Sequence, residues 1–325
     1  MGNGASVEGF TIEGGDSPLG SGIYCLNSSV NIRGNRIADN YSSDDGGGVA
    51  YVDGGLAVIE GNIFAGNGSF DRGGALLIEN SSPTVEGNQF QDNTGAYGAA
   101  ICCVASASPH ILENTIVNNN SLKWGGGIAV LTGSSTSIQN NFIDSNTAGS
   151  AGLPGSGGGI LVWDNCDAEI RWNVISRNSA SYGGAIENST QSTTIVENNT
   201  FYGNNASTKG GCIGSLTGAV VTVRNCIIAN STGQPAIQCW DGGIVNVDCN
   251  DMWENTADYD GCGPGANDFY EDPMFCFPEF DDFQVDCTSP CLDHPVCGFA
   301  GALGSGCGST RVMPTTWGAM KSLWK

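Results

Sequence analysis

Basic residues, histidine and long apolar runs are scarce in this sequence. The 325 residues include 11 lysine and arginine residues against 33 aspartate and glutamate residues, for a formal net charge of -22. A surface of this sign repels nucleic acid and anionic lipid, so neither is expected as a partner. No run of 18 apolar residues is present, and no transmembrane segment is therefore predicted.

Cysteine is abundant, by contrast, and it is concentrated near the end of the chain. Seven of the 14 cysteines fall between Cys249 and Cys307. With 2 histidines and no repeated C-x₂-C pair, disulfides are favoured over zinc. No cofactor is expected, although Ca²⁺ is the ion that the acidic surface would attract. Disulfides indicate an oxidising compartment, so we expect a secreted or cell-surface protein. Because the sequence opens without a signal peptide, its N-terminal portion is expected to have been removed or to lie upstream.

A repeat of about 26 residues organises most of the chain. Its skeleton is an aliphatic residue, asparagine three positions later, another apolar residue, and a second asparagine five positions after the first. The first asparagine column is Asn35, Asn62, Asn88, Asn114, Asn141, Asn173 and Asn199. The second column is Asn40, Asn67, Asn93, Asn119, Asn146, Asn178 and Asn204. One longer step of 32 residues comes from an insertion between Ala148 and Ser156.

This period predicts an all-β fold, a single-stranded right-handed parallel β-helix of about ten coils. It is too short for helical-hairpin repeats, and its β-branched runs can bury an apolar face only by stacking on the next copy. Stacked asparagines are expected to form hydrogen-bonded ladders between coils, because an amide both donates and accepts. The glycine triplets, such as Gly125 to Gly127, are predicted to be turns rather than phosphate loops.

The repeat resembles the right-handed parallel β-helix repeat of the pectate-lyase-like superfamily, from Val7 to about Asn255. The motifs G-G-A-L at Gly73 and G-G-A-I at Gly183, together with F-A-G-N at Phe64, also resemble the GGAI and FxxN repeats of chlamydial polymorphic outer-membrane proteins. The second resemblance implies an adhesin of a bacterial surface. The first implies a fold that also carries lyases, which use Ca²⁺ and a basic residue, and glycosidases, which use paired carboxylates.

Three segments are predicted on this basis. Residues 1–256 form the β-helix, residues 257–308 form a Cys-rich terminal cap over its open end, and residues 309–325 form a tail. In the tail, Trp317, Met320 and Trp324 have helical spacing, which predicts a short amphipathic helix. The tail resembles C-terminal tails of secreted bacterial repeat proteins.

Residues predicted to face outward beside the glycine triplets are the candidates for ligand binding. Aromatic rings there would stack on sugar rings, and charged groups would hold hydroxyls or uronates; the alternative is that the rings pack on neighbouring loops. The candidate ligand-binding residues are Tyr97, Trp124, Trp163, Tyr182, Glu187 and Trp240.

Catalysis is left open by the sequence. Asp53 and Glu79 are the nearest approach to a pair of acids in successive coils, and Arg72 is expected nearby. The favoured function is a non-catalytic adhesin-like or glycan-binding rod whose partner is an extended polysaccharide or a cell-surface glycan. The alternative is a polysaccharide lyase or glycoside hydrolase acting in a groove along one face. No metal ligands and no oligomeric state are predicted.

Overall fold

Short β-branched runs that alternate inward and outward form the strands of four parallel sheets. The computed structural model describes residues 4–150 and 152–307 of the chain. Each of the first eight turns contributes one strand to each sheet in order, and the last two turns contribute strands to the first, second and fourth sheets only, which produces about ten stacked coils. The predicted all-β parallel solenoid is therefore confirmed. Within the two described ranges, no helix has the length and apolarity that a membrane crossing requires.

The strands of each sheet follow one another at the repeat distance. The first sheet contains Ser6–Glu8, Asn31–Arg33, Val58–Glu60, Thr84–Glu86, His110–Leu112, Ser135–Gln139, Asp167–Arg171, Thr193–Glu197, Val220–Arg224 and Ile244–Asp248. The second sheet contains Thr11–Glu13, Arg36–Ala38, Ile63–Ala65, Gln89–Gln91, Thr115–Val117, Phe142–Asp144, Val174–Ser176, Thr200–Tyr202, Ile227–Ala229 and Asp251–Trp253.

The other two sheets complete the coils. The third sheet contains Asp16–Leu19, Tyr41–Asp45, Gly68–Ser69, Thr94–Tyr97, Asn120–Trp124, Thr147–Ser150, Ser179–Tyr182 and Asn205–Lys209. The fourth sheet contains Ile23–Leu26, Val49–Val52, Leu76–Glu79, Ile101–Val104, Ile128–Leu131, Ile160–Trp163, Ile186–Ser189, Ile213–Ser215, Ile237–Cys239 and Tyr259–Asp260. The insertion adds Leu153–Pro154, which pairs antiparallel with Thr147–Ser150 as a hairpin.

The core runs along the axis of the rod, because equivalent residues pair in register from coil to coil. Ile59, Val85 and Ile111 stack on one another in successive coils, and all three are fully buried. The rings of Phe64 and Phe90 stack with centroids 4.6 Å apart. At an interstrand spacing of about 4.8 Å, ten coils make a rod on the order of 45 Å long.

The two asparagine columns form the predicted ladders. The Asn88 Nδ2 donates to the Asn114 Oδ1 of the next coil at 3.0 Å and to the Ile59 carbonyl of the previous coil at 2.8 Å. Its own Oδ1 accepts from the backbone N–H and the side-chain amide of Asn62, both at 2.9 Å. Every asparagine in both columns is buried. These residues therefore belong to the scaffold.

The glycine triplets turn the chain from the third sheet into the fourth, as predicted. The first glycine has a positive φ, as at Gly183 with +58°, a conformation that most L-residues avoid. The second glycine touches the next coil: a Cβ on Gly184 would lie 2.2 Å from the Gly211 carbonyl oxygen. The repeated glycines are thus needed because the coils stack closely at the sharp corner between the third and fourth sheets.

The Cys-rich segment closes the last coil and then continues along the side of the rod. Asp268 takes the next ladder position, where its Oδ1 accepts from the Asn250 backbone N–H at 2.8 Å, and Phe269 bridges to Asp251. The ladder therefore ends on a carboxylate that also accepts from the Tyr259 hydroxyl at 2.7 Å. The separate cap predicted for residues 257–308 stays a prediction.

Residues 270–307, called the strap below, lie against the outer face of the second sheet rather than across the end. The strap contains the strands Phe275–Phe277, Asp282–Asp286 and Ser305–Cys307 and the single 3₁₀ turn Pro278–Phe280. The disulfide Cys249–Cys297 ties it to the rod, and Cys276–Cys307 closes it on itself. Arg177 of the rod forms an ion pair with Asp281. The predicted tail helix, in residues 309–325, lies outside the described residues.

Candidate functional site

The corner between the third and fourth sheets carries the side chains predicted to meet a ligand. The residue before each glycine triplet either ends a third-sheet strand or forms an isolated bridge just after it, and it stacks on its equivalent in the next coil. This edge row consists of Leu19, Asp45, Arg72, Tyr97, Trp124, Ser156, Tyr182 and Lys209. It lies beside the outward side chains of the fourth sheet, so the two rows form one continuous strip along the rod.

The outer face of the fourth sheet is apolar and covered over much of its length, contrary to the expectation of an exposed surface. Ala50, Leu77, Cys102, Ala129 and Leu161 occupy its central outward column, and all are buried. They form a second hydrophobic cluster, against which Leu19, Tyr97, Trp124 and Trp163 pack. The edge row thus acts as a cover for this cluster, and the alternative role of the rings as packing groups is realised in part.

Three aromatic rings follow one another in the middle of the strip. Tyr97 and Trp124 have ring centroids 5.3 Å apart in an edge-on arrangement, and Trp124 and Trp163 are 5.4 Å apart. Each ring is half-buried, so one side packs on the cluster while an edge or face remains in contact with solvent. Their order along the rod suits a ligand that is itself extended.

One end of the strip is charged. The Arg72 guanidinium donates to both carboxylate oxygens of Asp45, at 2.5 and 3.2 Å, and its Nη1 lies 3.9 Å from the Glu79 Oε2. The Asp45 side chain is only 5% exposed. Hydrogen bonding and attraction to Asp45 outweigh desolvation and raise the pKa of Arg72, so this side chain holds a positive charge and is a poor base.

Asp53 does not join this group. Its Oδ1 accepts from the Asn80 side-chain amide at 2.7 Å, and its backbone N–H donates to the Glu79 carbonyl at 3.1 Å. In the part of the chain that the structure describes, no ion pair links the Asp53 carboxylate to Arg72. The three catalytic candidates therefore form one loose pair, Arg72 with Glu79, and one separate acid.

The other end of the strip contains a buried acid beneath aromatic rings. Glu187 occupies the central outward column and is 2% exposed. Its neighbour in the next coil is Gly214, where a Cβ would lie 2.1 Å from the Glu187 Oε2 and 2.9 Å from the Trp240 ring. Among the described residues, nothing hydrogen-bonds to that oxygen. Burial raises the pKa of Glu187 well above its ordinary value, because desolvation disfavours the charged form.

Two aromatic rings and a lysine lie together at this end of the strip. Tyr182 and Trp240 have ring centroids 6.2 Å apart, and the Lys209 Nζ lies 5.0 Å from the Trp240 ring centroid. Lys123 occupies the same position relative to Tyr97, with its Nζ 4.9 Å from the ring centroid. Both contacts are of cation–π type. Lys123 also donates to the Tyr97 hydroxyl at 3.2 Å.

Residues 2–143 match the family model described as "Right handed beta helix region". The four parallel sheets continue the same coils to residue 260. The chain folds as a right-handed parallel β-helix. No curated protein and no solved structure shows a significant match to the chain. The resemblance to chlamydial polymorphic outer-membrane proteins stays a prediction.

The strip of this β-helix includes residues that the sequence pattern did not single out as ligand-binding. Gly214 leaves the space that Glu187 and Trp240 fill. Lys123 is not a member of the edge row, but its Nζ lies over the Tyr97 ring of that row. Aligning the outward column coil by coil would have revealed Gly214 as its one glycine. In residues 4–150 and 152–307, no group of three or more metal-ligating side chains is close enough to hold an ion. The suggestion of Ca²⁺ stays untested.

Proposed function

We propose that this β-helix is a secreted or cell-surface rod that binds an extended glycan along the strip between its third and fourth sheets. The observation that carries the proposal is the set of half-buried rings in two groups along the strip, Tyr97 with Trp124 and Trp163 and then Tyr182 with Trp240, and a lysine lies over a ring of each group. Aromatic faces stack on the apolar faces of sugar rings, and lysines add donors at their edges.

The spacing of the row supports a polymer as the ligand. From Trp124 the row passes through Ser156 and Tyr182 to Lys209, one coil at a time. Three coil steps of about 4.8 Å span roughly 14 Å, longer than one sugar ring. The small side chain of Ser156 interrupts the aromatic series and separates two binding segments, one around Trp124 and one around Trp240.

A glycan array followed by calorimetry with the best oligosaccharide tests this proposal. Trp163→Ala should weaken binding about tenfold, because a lost ring stack costs about 1.4 kcal/mol. Trp172→Ala is the matched control, since that ring is 40% exposed and packs on Phe299 at a different corner. Melting temperatures of both variants separate lost binding from lost folding. Folded protein without any glycan ligand, or equal effects of the two variants, would contradict the proposal.

Hydrolysis of the bound glycan is the second candidate, and Glu187 is the observation that favours it. A carboxyl whose pKa is raised by burial is what a glycosidase uses to protonate a leaving oxygen. The lyase alternative has less support, because Arg72 is held protonated by Asp45. If Glu187 is a general acid, Glu187→Gln abolishes the release of reducing ends but retains binding. Wild-type protein that binds a glycan and releases no product rules this candidate out.

A further inference from the structure

Two thiols meet at the C-terminal end of the core, outside the two disulfides described above. Cys239 ends a fourth-sheet strand and is 8% exposed, and Cys262 follows the last strand of the same sheet. Both contact the main hydrophobic core. The strands pair in parallel, with Gln238 opposite Asp260, so the register places Cys239 opposite Gly261.

The backbone at this point brings the second cysteine against the first. Gly261 has a φ of +72°, and a Cβ there would lie 2.0 Å from the Cys239 carbonyl oxygen. After this turn the Cys262 Sγ lies 3.9 Å from the Ile237 carbonyl oxygen of the neighbouring strand. Cys262 lies one residue past the position opposite Cys239. A strand spacing of about 4.8 Å and a rise of about 3.3 Å along the strand give a Cα separation of about 6 Å, within the range that a disulfide spans.

We propose that Cys239 and Cys262 form a third disulfide, which staples the last complete coil to the one before it. The loop that it closes spans 23 residues (262 − 239), the whole tenth turn of the chain. Unlike the two disulfides of the strap, this bond lies within the rod. It would fix the one end of the fourth sheet where the strand Tyr259–Asp260 has no further strand to pair with.

The chemistry of the two thiols agrees with this pairing. A hydrogen bond with Cys262 lowers the pKa of Cys239, and the same contact raises the pKa of Cys262. Burial instead raises the pKa of the core thiols Cys103 and Cys226 to about 12, which keeps them protonated and unreactive. The pair is thus distinct from the other buried thiols of the core.

The oxidation needs an external disulfide, and oxidised glutathione represents that class. A thiolate of the pair attacks one sulfur of the small disulfide, breaks its S–S bond and releases one thiol. The other cysteine attacks the mixed disulfide, forms the Cys239–Cys262 bond and releases the second thiol. Two cysteine thiols lose two electrons, and one small disulfide is reduced to two thiols.

Peptide mapping tests the bond directly. The protein is incubated with oxidised glutathione at pH 8, denatured, alkylated without reductant, and cut with trypsin and a protease that cleaves before aspartate. Residues 225–240 and 260–267 then form separate peptides, which should be found joined through Cys239 and Cys262. Of 14 cysteines, 8 should be alkylated (14 − 6) rather than 10 (14 − 4). Ten alkylated cysteines, or Cys262 joined to another partner, would overturn the proposal.

Two variants separate the bond from simple packing. Cys262→Ser should lower the melting temperature of oxidised protein by several degrees, and this difference should shrink when both proteins are fully reduced. Cys212→Ser, at a buried thiol outside the pair, should show a difference that reductant does not change. A Cys262→Ser difference that is equally independent of reductant counts against the disulfide.

The staple has one consequence that rests on the proposed function. Trp240 follows Cys239 directly, and its backbone N–H donates to the Ser215 carbonyl at 3.1 Å. Fixing Cys239 therefore fixes the turn that holds the Trp240 ring over Gly214. Oxidised wild-type protein should bind the array-selected oligosaccharide several-fold more tightly than Cys262→Ser. The peptide map detects the disulfide without any glycan, so failure of binding and failure of the bond are distinguishable.

Discussion

The interior and the outer strip of this rod are built from the same strands, but the residues repeat from coil to coil in the interior and vary from coil to coil in the strip. Inside, each coil repeats the last: Asn62, Asn88 and Asn114 have the same partners one coil apart. Outside, equivalent positions hold different chemistry. The central outward column of the fourth sheet changes from Leu77 to Glu187 to Gly214 without a period.

This difference separates the residues that make the fold from those free to serve a function. A ladder asparagine is satisfied only if its neighbours in the column offer suitable hydrogen-bonding groups, as another asparagine or the Asp268 carboxylate does, so an apolar replacement at one coil has a cost in stability. An outward residue needs only to cover the sheet or meet solvent. The search for a site is therefore confined to the outer strip and to the face that the strap covers.

Breaking the interior should have the largest effect. Asn88→Leu removes four side-chain hydrogen bonds and leaves the buried amide of Asn62 without its acceptor. At about 1 kcal/mol for each bond, the free energy of unfolding should fall by about 4 kcal/mol, measured by urea denaturation. Gln89→Leu is the control, because the next side chain is exposed and should change stability by less than about 0.5 kcal/mol. Equal losses in the two variants would refute the ladder.

A buried acid under the strap should give the next largest effect, and it depends on pH. Asp251 is fully buried, and its Oδ2 lies 3.1 Å from the Cys291 Sγ of the strap. Desolvation, with repulsion from Glu271 and Asp272, raises the pKa of Asp251 from 3.8 to about 7. The neutral carboxyl thus contributes stability that is complete below pH 4 and is lost as pH rises to about 7.

Asp251→Asn should remove the loss of stability that wild-type protein shows as pH rises. The variant should match wild type at pH 4 and exceed it by roughly 3–4 kcal/mol at pH 8, measured as unfolding free energy or as a higher melting temperature. Asp167→Asn, on the exposed side of the first sheet, should show no such change. A difference between Asp251→Asn and wild type that is constant from pH 4 to pH 8 would contradict the raised pKa.

The period made the interior predictable from sequence. The five-residue offset between Asn173 and Asn178, together with the triplet at Gly183, was enough to predict the coils, the ladders and the corner turns, because each depends on neighbours with the same residues. The Cys-rich segment has no period. Its position along the second sheet depends on single contacts, such as the ion pair between Arg177 and Asp281, and no sequence pattern predicts them.

The candidate site was predictable only in outline. Tyr97, Trp124 and Trp163 could be placed on one strip from the repeat, but their packing on the cluster that includes Ala129 and Leu161 depends on which side each ring turns. The burial of Glu187 required two further coils to be known, since Gly214 makes the space that the acid fills. The register of the repeat predicts which residues are neighbours along the rod. The burial of a side chain depends instead on the groups that pack over it.

Within the outer strip, two aspartates should differ in a way that the sequence does not reveal. Asp45 is buried and accepts hydrogen bonds from the Nε and Nη2 of Arg72, whereas Asp53 is exposed and accepts one hydrogen bond from Asn80. Asp45→Asn should cost about 1–2 kcal/mol of unfolding free energy, because Arg72 loses a charged partner in a half-buried place. Asp53→Asn should change it by less than about 0.5 kcal/mol. If the order were reversed, the strip would not be organised by the edge row, since burial within that row is what distinguishes Asp45 from Asp53.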